Sequence, residues 1–322
     1  MKYVEFINDI LKKKILEPEH ILLFGQNISA GSCISGFTRG LKVKPGGRII
    51  NTPNCENTLC GIGFGSMMNG VPAIFFMKQQ DFLLLGIDQL VNTYNIIRRT
   101  TPKASFTIMP VIVDSGYEGP QSALNNLADF CSIARIPGYT VTNKIDAQEI
   151  INKYLIAPGF RIIGISQRLF KTEIIDVPCV HMNEERSIFQ YTKGGDVTIV
   201  CFNLSLPHGL EIHRRMVQKD VQASVFSINA AMPIPWDEIV ANVQKTKQVI
   251  IIDDLKSINA PWQSLLNALY SQTKMKSPIV VQRSFEGYWC RPHHDQLQMD
   301  YDRVISDLDL QKDFVSGKGG AA

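Results

Sequence analysis

Two successive domains, each a parallel sheet covered by helices, are the α/β fold class that this chain of 322 residues predicts. Three observations carry it. Short apolar runs alternate with longer segments of helical period, the pattern of a parallel sheet built from strand–helix units. A polar, irregular segment at 171–195 separates two such series. The length suffices for two cores of ordinary size.

In order, MKYVEFINDILKKK at 1–14 reads as an amphipathic helix without the apolar core or cleavage site of a signal peptide. HILLF at 20–24 is a strand ending at Gly25, and a short apolar run at 47–50 leads into NTPNCENTLCGIGFG, where a helix begins after Asn54. AIFFM at 73–77 is a strand, 83–98 a helix, and IMPVIV at 108–113 a strand followed by the turn-rich loop DSGYEGPQ. A helix over 124–136 and strands at 139–142 and 161–165 complete the first series. The second is regular: strands at 196–202, 223–228 and 249–254 alternate with helices at 208–219, 236–244 and 260–272. Residues 278–281 add a fourth strand, and SGKGGAA ends the chain as a flexible tail. Ligands of such sheets bind beyond the carboxyl ends of the strands, which puts weight on loops 25–36, 51–56, 78–82 and 114–122.

Composition narrows the classes. Apolar residues make up 45% and charged residues 20%, as in a folded soluble protein, and the net charge of +3 is dispersed without a basic block for nucleic acid or membrane. No apolar run reaches membrane-spanning length. The seven cysteines are scattered and form no CxxC pair, so reduced thiols in a cytoplasmic protein are expected. His293-His294 beside Asp295 is too poor a ligand set to predict a metal site.

Glu56 is the only acid in the stretch 51–65. With Asn54 as N-cap it falls in the first turn of a helix, where the dipole favours a surface acid. Its neighbours Cys55, Leu59, Cys60, Ile62 and Phe64 leave little polar face, however, and a carboxylate in an apolar cleft can share a proton with a ligand. Gly61, Gly63 and Gly65 lie inside the helix rather than before it, so they suit close packing better than nucleotide binding. KQQDF at 78–82 leaves a strand end, where Phe82 is either core or a ring offered to a flat heterocycle.

At this point the residues resemble a family. N-T-P-x-x-E before a glycine-rich helix, then D-F-L-L-x-x-I-D-Q-L-V-N, is similar to the β subunits of thiamine diphosphate-dependent 2-oxo acid dehydrogenases, the E1 β chains. FGQNI at 24–28, the strands DVTIV and VIIID, and the turn Pro235-Trp236-Asp237 extend the likeness over nearly the whole chain. The resemblance implies a pyrimidine-binding domain over 1–185, a transketolase C-terminal-like domain over 186–313 and a tail over 314–322. It implies that Glu56 hydrogen-bonds N1′ of the cofactor's aminopyrimidine and that Phe82 stacks on that ring, with Gln26 and Asp81 also on the cofactor. Thiamine diphosphate and Mg2+ are the implied cofactors.

Departures refine the expectation. The G-D-G…N-N motif that holds the diphosphate and magnesium is missing, Gly194-Gly195-Asp196 being only an echo. The chain therefore needs a partner α subunit carrying it, in a β–β-containing α2β2 assembly that can serve a lipoyl carrier protein. No histidine occurs between His20 and His181, so Asn125, or else Gln121, stands where E1 β chains carry a catalytic histidine. Neither can shuttle a proton at neutral pH. Two further readings stay open: the C-terminal half of a split transketolase acting on sugar phosphates, and a regulatory paralogue without catalysis.

Overall fold

The computed structural model describes residues 1–114, 125–232, 234–255, 260–283, 297 and 299–308. Gln121, the pair His293-His294 with Asp295, and the tail lie outside the described residues.

Helix α1 (Tyr3–Lys14) buries the stripe Tyr3, Ile7 and Leu11, one residue every four, and collects three lysines in its last turn, where the dipole favours cations. Next come β1 (Leu22–Gly25), β2 (Arg48–Asn51), α2 (Glu56–Met68) and β3 (Ala73–Met77). The single helix expected over 83–98 is instead a series of short turns: 3-10 at Gln80–Leu85, π at Gln89–Thr93, α3 (Tyr94–Ile97) and 3-10 at Arg98–Thr100. Within this series Gly86 comes close to α2: a Cβ there would stand 2.8 Å from Cys60 Sγ and 3.5 Å from the Glu56 carbonyl oxygen, so only glycine allows the approach.

Then follow β4 (Ser105–Ile112), α4 (Leu127–Ala134), β5 (Gly138–Val141), α5 (Lys144–Tyr154) and β6 (Gly159–Ser166). Two short strands come out of the segment expected to be irregular, β7 (His181–Met182) and β8 (Ile188–Gln190). Beyond them run β9 (Val197–Phe202), α6 (Leu206–Val217), β10 (Ala223–Ile228), β11 (Ala230–Met232), α7 (Asp237–Thr246), β12 (Val249–Asp253), α8 (Trp262–Gln272), β13 (Ile279–Gln282) and α9 (Tyr301–Ser306).

The strands form two sheets. The first has the order β11-β5-β6-β4-β3-β1-β2 and is parallel except for β11. The second has the order β13-β12-β9-β10-β8-β7, parallel from β13 to β10, with β8 and β7 antiparallel at one edge. The chain thus enters the second sheet at His181 and returns briefly to the first at Ala230. Strands buried on both faces explain the unbroken apolar runs of the sequence.

Each face of the first sheet has its own core. Leu23, Phe76, Met109, Val111 and Ile165 join α1 and α5 in a cluster that continues to Ile199 and Ile250 of the second sheet. Phe24, Phe75, Phe106 and Phe160 pack under α2 and α4. Phe64 of α2 meets Phe160 and Phe106 edge-on, with ring centroids 4.8 and 5.0 Å away. Of the three helical glycines, packing requires only Gly63, where a Cβ would lie 2.2 Å from the Phe106 ring. Gly61 has nothing nearer than 3.7 Å and Gly65 nothing within 4 Å. Among the described residues, no helix is long and apolar enough to cross a membrane.

Polar contacts join the sheets. Buried Asp146 accepts from the backbone of Thr142 and Asn143 at 2.9 and 3.0 Å and from Asn229 Nδ2, between β10 and β11, at 2.9 Å. Asn143 Nδ2 donates to Tyr191 Oη at 2.6 Å. Gly194 belongs to a tight turn rather than a phosphate loop, since a Cβ on it would meet the Gln222 carbonyl at 2.3 Å.

Candidate functional site

Four neighbouring strands, β4-β3-β1-β2, end at one edge of the first sheet. At a strand spacing of about 4.8 Å, their carboxyl ends lie within roughly 15 Å of one another. Loops leaving β3, β1 and β2 carry the segment 78–82, Gln26 and Glu56, while Asn125 precedes α4, beyond the residues after β4 that are not described. This is where parallel sheets bind ligands.

Glu56 is the first residue of α2 and only 5% exposed. The N-cap is Cys55, not Asn54 as expected, and it makes no side-chain cap bond. Glu56 thus stands one position nearer the helix end, among free N–H groups whose dipole favours a negative charge. No hydrogen bond or ion pair to its carboxylate occurs among the described residues. Behind it lies Cys60, whose thiol is pushed up to about 12 by burial and by the Glu56 charge, so the thiol stays protonated at neutral pH.

Phe82 is half-buried, packs against the cluster of Leu59, Cys60 and Leu83, and has no aromatic partner among the described residues. Asp81 is wholly buried in the same 3-10 turn. The turn packs between α2 and β4, which brings Phe82 and Asp81 to the side of the sheet that carries Glu56.

Gln26 goes elsewhere. It lines a cavity of about 120 Å³ with Lys78, Gln79, Ile34, Val111 and Phe170, on the face that carries α1 and α5. The loop above is wound left-handed at Cys33, Ile34 and Ser35, with φ of +51°, +48° and +55°, a strained state for a β-branched residue. The expected cofactor-binding set is therefore divided between the two faces of the sheet. Asn125 is 1% exposed, and neither polar atom of its amide has a partner.

Two features escaped sequence reasoning. Gln80 is wholly buried, and both polar atoms of its amide lack hydrogen bonds. The signal was present, since KQQDF places polar residues directly after a strand with no polar side chain. The other feature is an ionic centre at the carboxyl ends of β4, β6, β9 and β12. Arg168 Nη2 donates to Asp254 at 3.1 Å and to the Leu204 carbonyl at 3.0 Å, and the Arg168 amide to Asp114 at 2.9 Å. Asp114 is raised by burial, against the opposing pull of Arg168. Asp253, also buried, is raised to about 7 by desolvation and then by the Asp254 charge. No group of three or more metal-ligating side chains occurs among the described residues.

No family model matches the chain. It is 25% identical over 267 residues to the mitochondrial pyruvate dehydrogenase E1 component subunit beta of Dictyostelium discoideum, covering 77% of this chain and 72% of that one. It is 24% identical over 272 residues to the chloroplastic subunit beta-2 of Arabidopsis thaliana, where it covers 82% of this chain and 66% of the relative. Among solved structures it superposes on a split-gene transketolase, described as an inactive beta4 tetramer, with a TM-score of 0.61, 14% identity and 88% of each chain covered. A transketolase of Campylobacter jejuni gives a TM-score of 0.66 at 13% identity, over 89% of this chain and 43% of that one.

Proposed function

For a chain E1 β-like in sequence and transketolase-like in fold, we propose a β-type subunit of a two-component thiamine diphosphate enzyme that decarboxylates a 2-oxo acid or transfers the resulting unit. The observation that carries this reading is Glu56, a nearly buried carboxylate at a helix start with no hydrogen bond or ion pair among the described residues. Such a group is expensive to keep unless a ligand completes it. An aminopyrimidine nitrogen that shares a proton with it fits, and the unstacked Phe82 ring on the same side suits a flat heterocycle. When bound, thiamine diphosphate supplies the carbon nucleophile that attacks a 2-oxo group. This chain's share is to hold the aminopyrimidine proton at the Glu56 carboxylate and to keep water from it with Leu59, Cys60 and Phe82.

The diphosphate and Mg2+ fall to a partner chain in this reading. Support comes from the surface beside the site, where Ile62, Leu84, Leu85 and Ile96 are exposed at 45, 46, 59 and 75%. An apolar surface of that kind, flanking a helix apolar nearly all round, suits burial in an assembly. An α2β2 assembly working with a lipoyl carrier belongs to the same proposal. The solved split-gene transketolase, matched over 88% of its chain, favours as a second reading a half-transketolase acting on sugar phosphates.

Calorimetry with thiamine diphosphate and Mg2+ should show binding to the chain paired with an α subunit, and none to either alone. Glu56→Ala should lower deuterium exchange at the cofactor's C2 by about 100-fold or more, with assembly intact. Retained exchange would remove Glu56 from this role.

A further inference from the structure

Helix α7 packs over β9, where Thr198 Oγ1 donates to Asn242 Oδ1 at 2.7 Å, and the strands β10, β8 and β7 continue past it. An open trough of about 640 Å³ runs between the helix and those strands. Its wall is one face of α7, with Glu238, Asn242 and Lys245 at helical spacing. Its floor is a row across three strands, since Gln190 pairs with His181 on β7 and with Phe226 on β10. Ser224 lies two residues before Phe226, on the same face of β10. These residues belong to the second sheet and its helix, apart from the side of the first sheet that carries Glu56.

The two ends of the trough differ in charge. At one end, buried Ser224 accepts from the Gly194 amide at 3.0 Å and from Asn242 Nδ2 at 3.3 Å. The Gly194 turn, held close against Gln222, thereby carries Lys193 to the place where Lys245 lies one turn beyond Asn242. Neither lysine has an ion pair among the described residues. A cation in the last turn of α7 suits the helix dipole, so Lys245 alone would assign nothing. Two ammonium groups that share one end of a cavity repel each other and favour an anion between them.

The other end holds Glu238, the one acid among the described lining residues. Its Oε1 lies 3.2 Å from His181 Nε2, while its Oε2 is buried with no hydrogen-bond partner and calls for a donor. Along α7 Glu238 is about 10 Å from Lys245, and along β10 Phe226 is about 7 Å from Ser224, so helix and strand order the two ends alike. We propose that this trough binds a small phosphate ester carrying hydroxyl groups. The phosphate lies between Lys193 and Lys245, and a hydroxyl at the far end donates to Glu238 Oε2. That length suits a sugar phosphate, free or as part of a nucleotide, and a dianion answers two lysines better than a single carboxylate does.

Calorimetry on the full chain with ribose 5-phosphate, ribose, AMP and inorganic phosphate tests this. Ribose 5-phosphate should bind and ribose should not. Lys193→Gln and Lys245→Gln should each weaken ribose 5-phosphate by about five- to tenfold. Both lysines are exposed, so these variants should fold as the wild type does. Glu238→Ala should weaken ribose 5-phosphate by a similar factor yet hold inorganic phosphate as tightly or more tightly, since a repelling charge is gone. AMP bound more tightly than ribose 5-phosphate supports a nucleotide as the source, and AMP bound more weakly supports a free sugar phosphate. Unchanged affinity for ribose 5-phosphate in both lysine variants, or no binding of any phosphate-bearing probe at millimolar concentration, overturns the proposal. Parallel losses of ribose 5-phosphate and inorganic phosphate in Glu238→Ala overturn it as well.

Discussion

At the scale of single residues, buried acids make stability depend on pH. Burial raises Asp253 to about 7, with the Asp254 charge adding to it, and burial raises Asp146 to about 6 against its hydrogen bonds. In the unfolded chain both ionise near pH 4. Between that pH and their folded values the native state binds more protons, so their stabilising effect is full below about pH 4 and fades as pH rises through 6 and 7. Asp253 Oδ1 accepts from Asn203 and from the Leu255 amide while Oδ2 has no partner, so an amide can replace the acid with little loss. Asp253→Asn should flatten the decline in melting temperature between about pH 4 and 7 and raise its value at pH 8 by about 2 °C or more. Parallel profiles for variant and wild type would show that Asp253 titrates normally. Glu56 was legible in the sequence because one acid among apolar neighbours is conspicuous. Gln80 was only half legible: KQQDF sets polar residues directly after an apolar strand, but a glutamine in sequence looks the same whether solvated or sealed without a partner.

Helix α2 links the candidate site to the core at the scale of one element. Its glycines differ in consequence. Gly63→Ala drives a methyl into a Phe106 ring that is wholly buried and fixed by Phe64 and Phe160, so it should destabilise by about 1–3 kcal/mol. Gly65→Ala meets nothing within 4 Å and should stabilise by about 0.5–1 kcal/mol through helix propensity alone. Urea unfolding of the two variants checks the pair, and equal midpoints would refute the packing argument. The strands AIFFM and VIIID were readable because burial on both faces leaves an unbroken apolar run. The turns of 80–100 were not, because the apolar residues of 83–98 keep a helical spacing whether the segment forms one helix or a series of short turns. Strands β7, β8 and β11 are two or three residues long, too short to show a period of two.

At the scale of the whole molecule, the two-sheet fold follows from strand–helix alternation, but the joint between the sheets does not. Arg168 and Asp254 are 86 residues apart, and Asp146 and Asn229 are 83. Nothing local announces either pair. The return of β11 to the first sheet has a consequence for how the chain can be divided. Cleavage after residue 185 removes the strand that caps β5 through Ala230↔Tyr139 and Met232↔Gly138. It also leaves the two residues of β7 on one piece and the strand they pair with on the other. Each fragment then bears an open edge, which in isolation invites strand addition between molecules. Fragments 1–185 and 186–322 expressed separately should aggregate, and co-expressed they should recover one soluble complex by size-exclusion chromatography. Two independently soluble, monomeric fragments would contradict this. Seen this way, β11 is a clasp: a three-residue stitch that makes the two halves a single heritable unit, so that a gene split near residue 185 would yield halves obliged to find each other again.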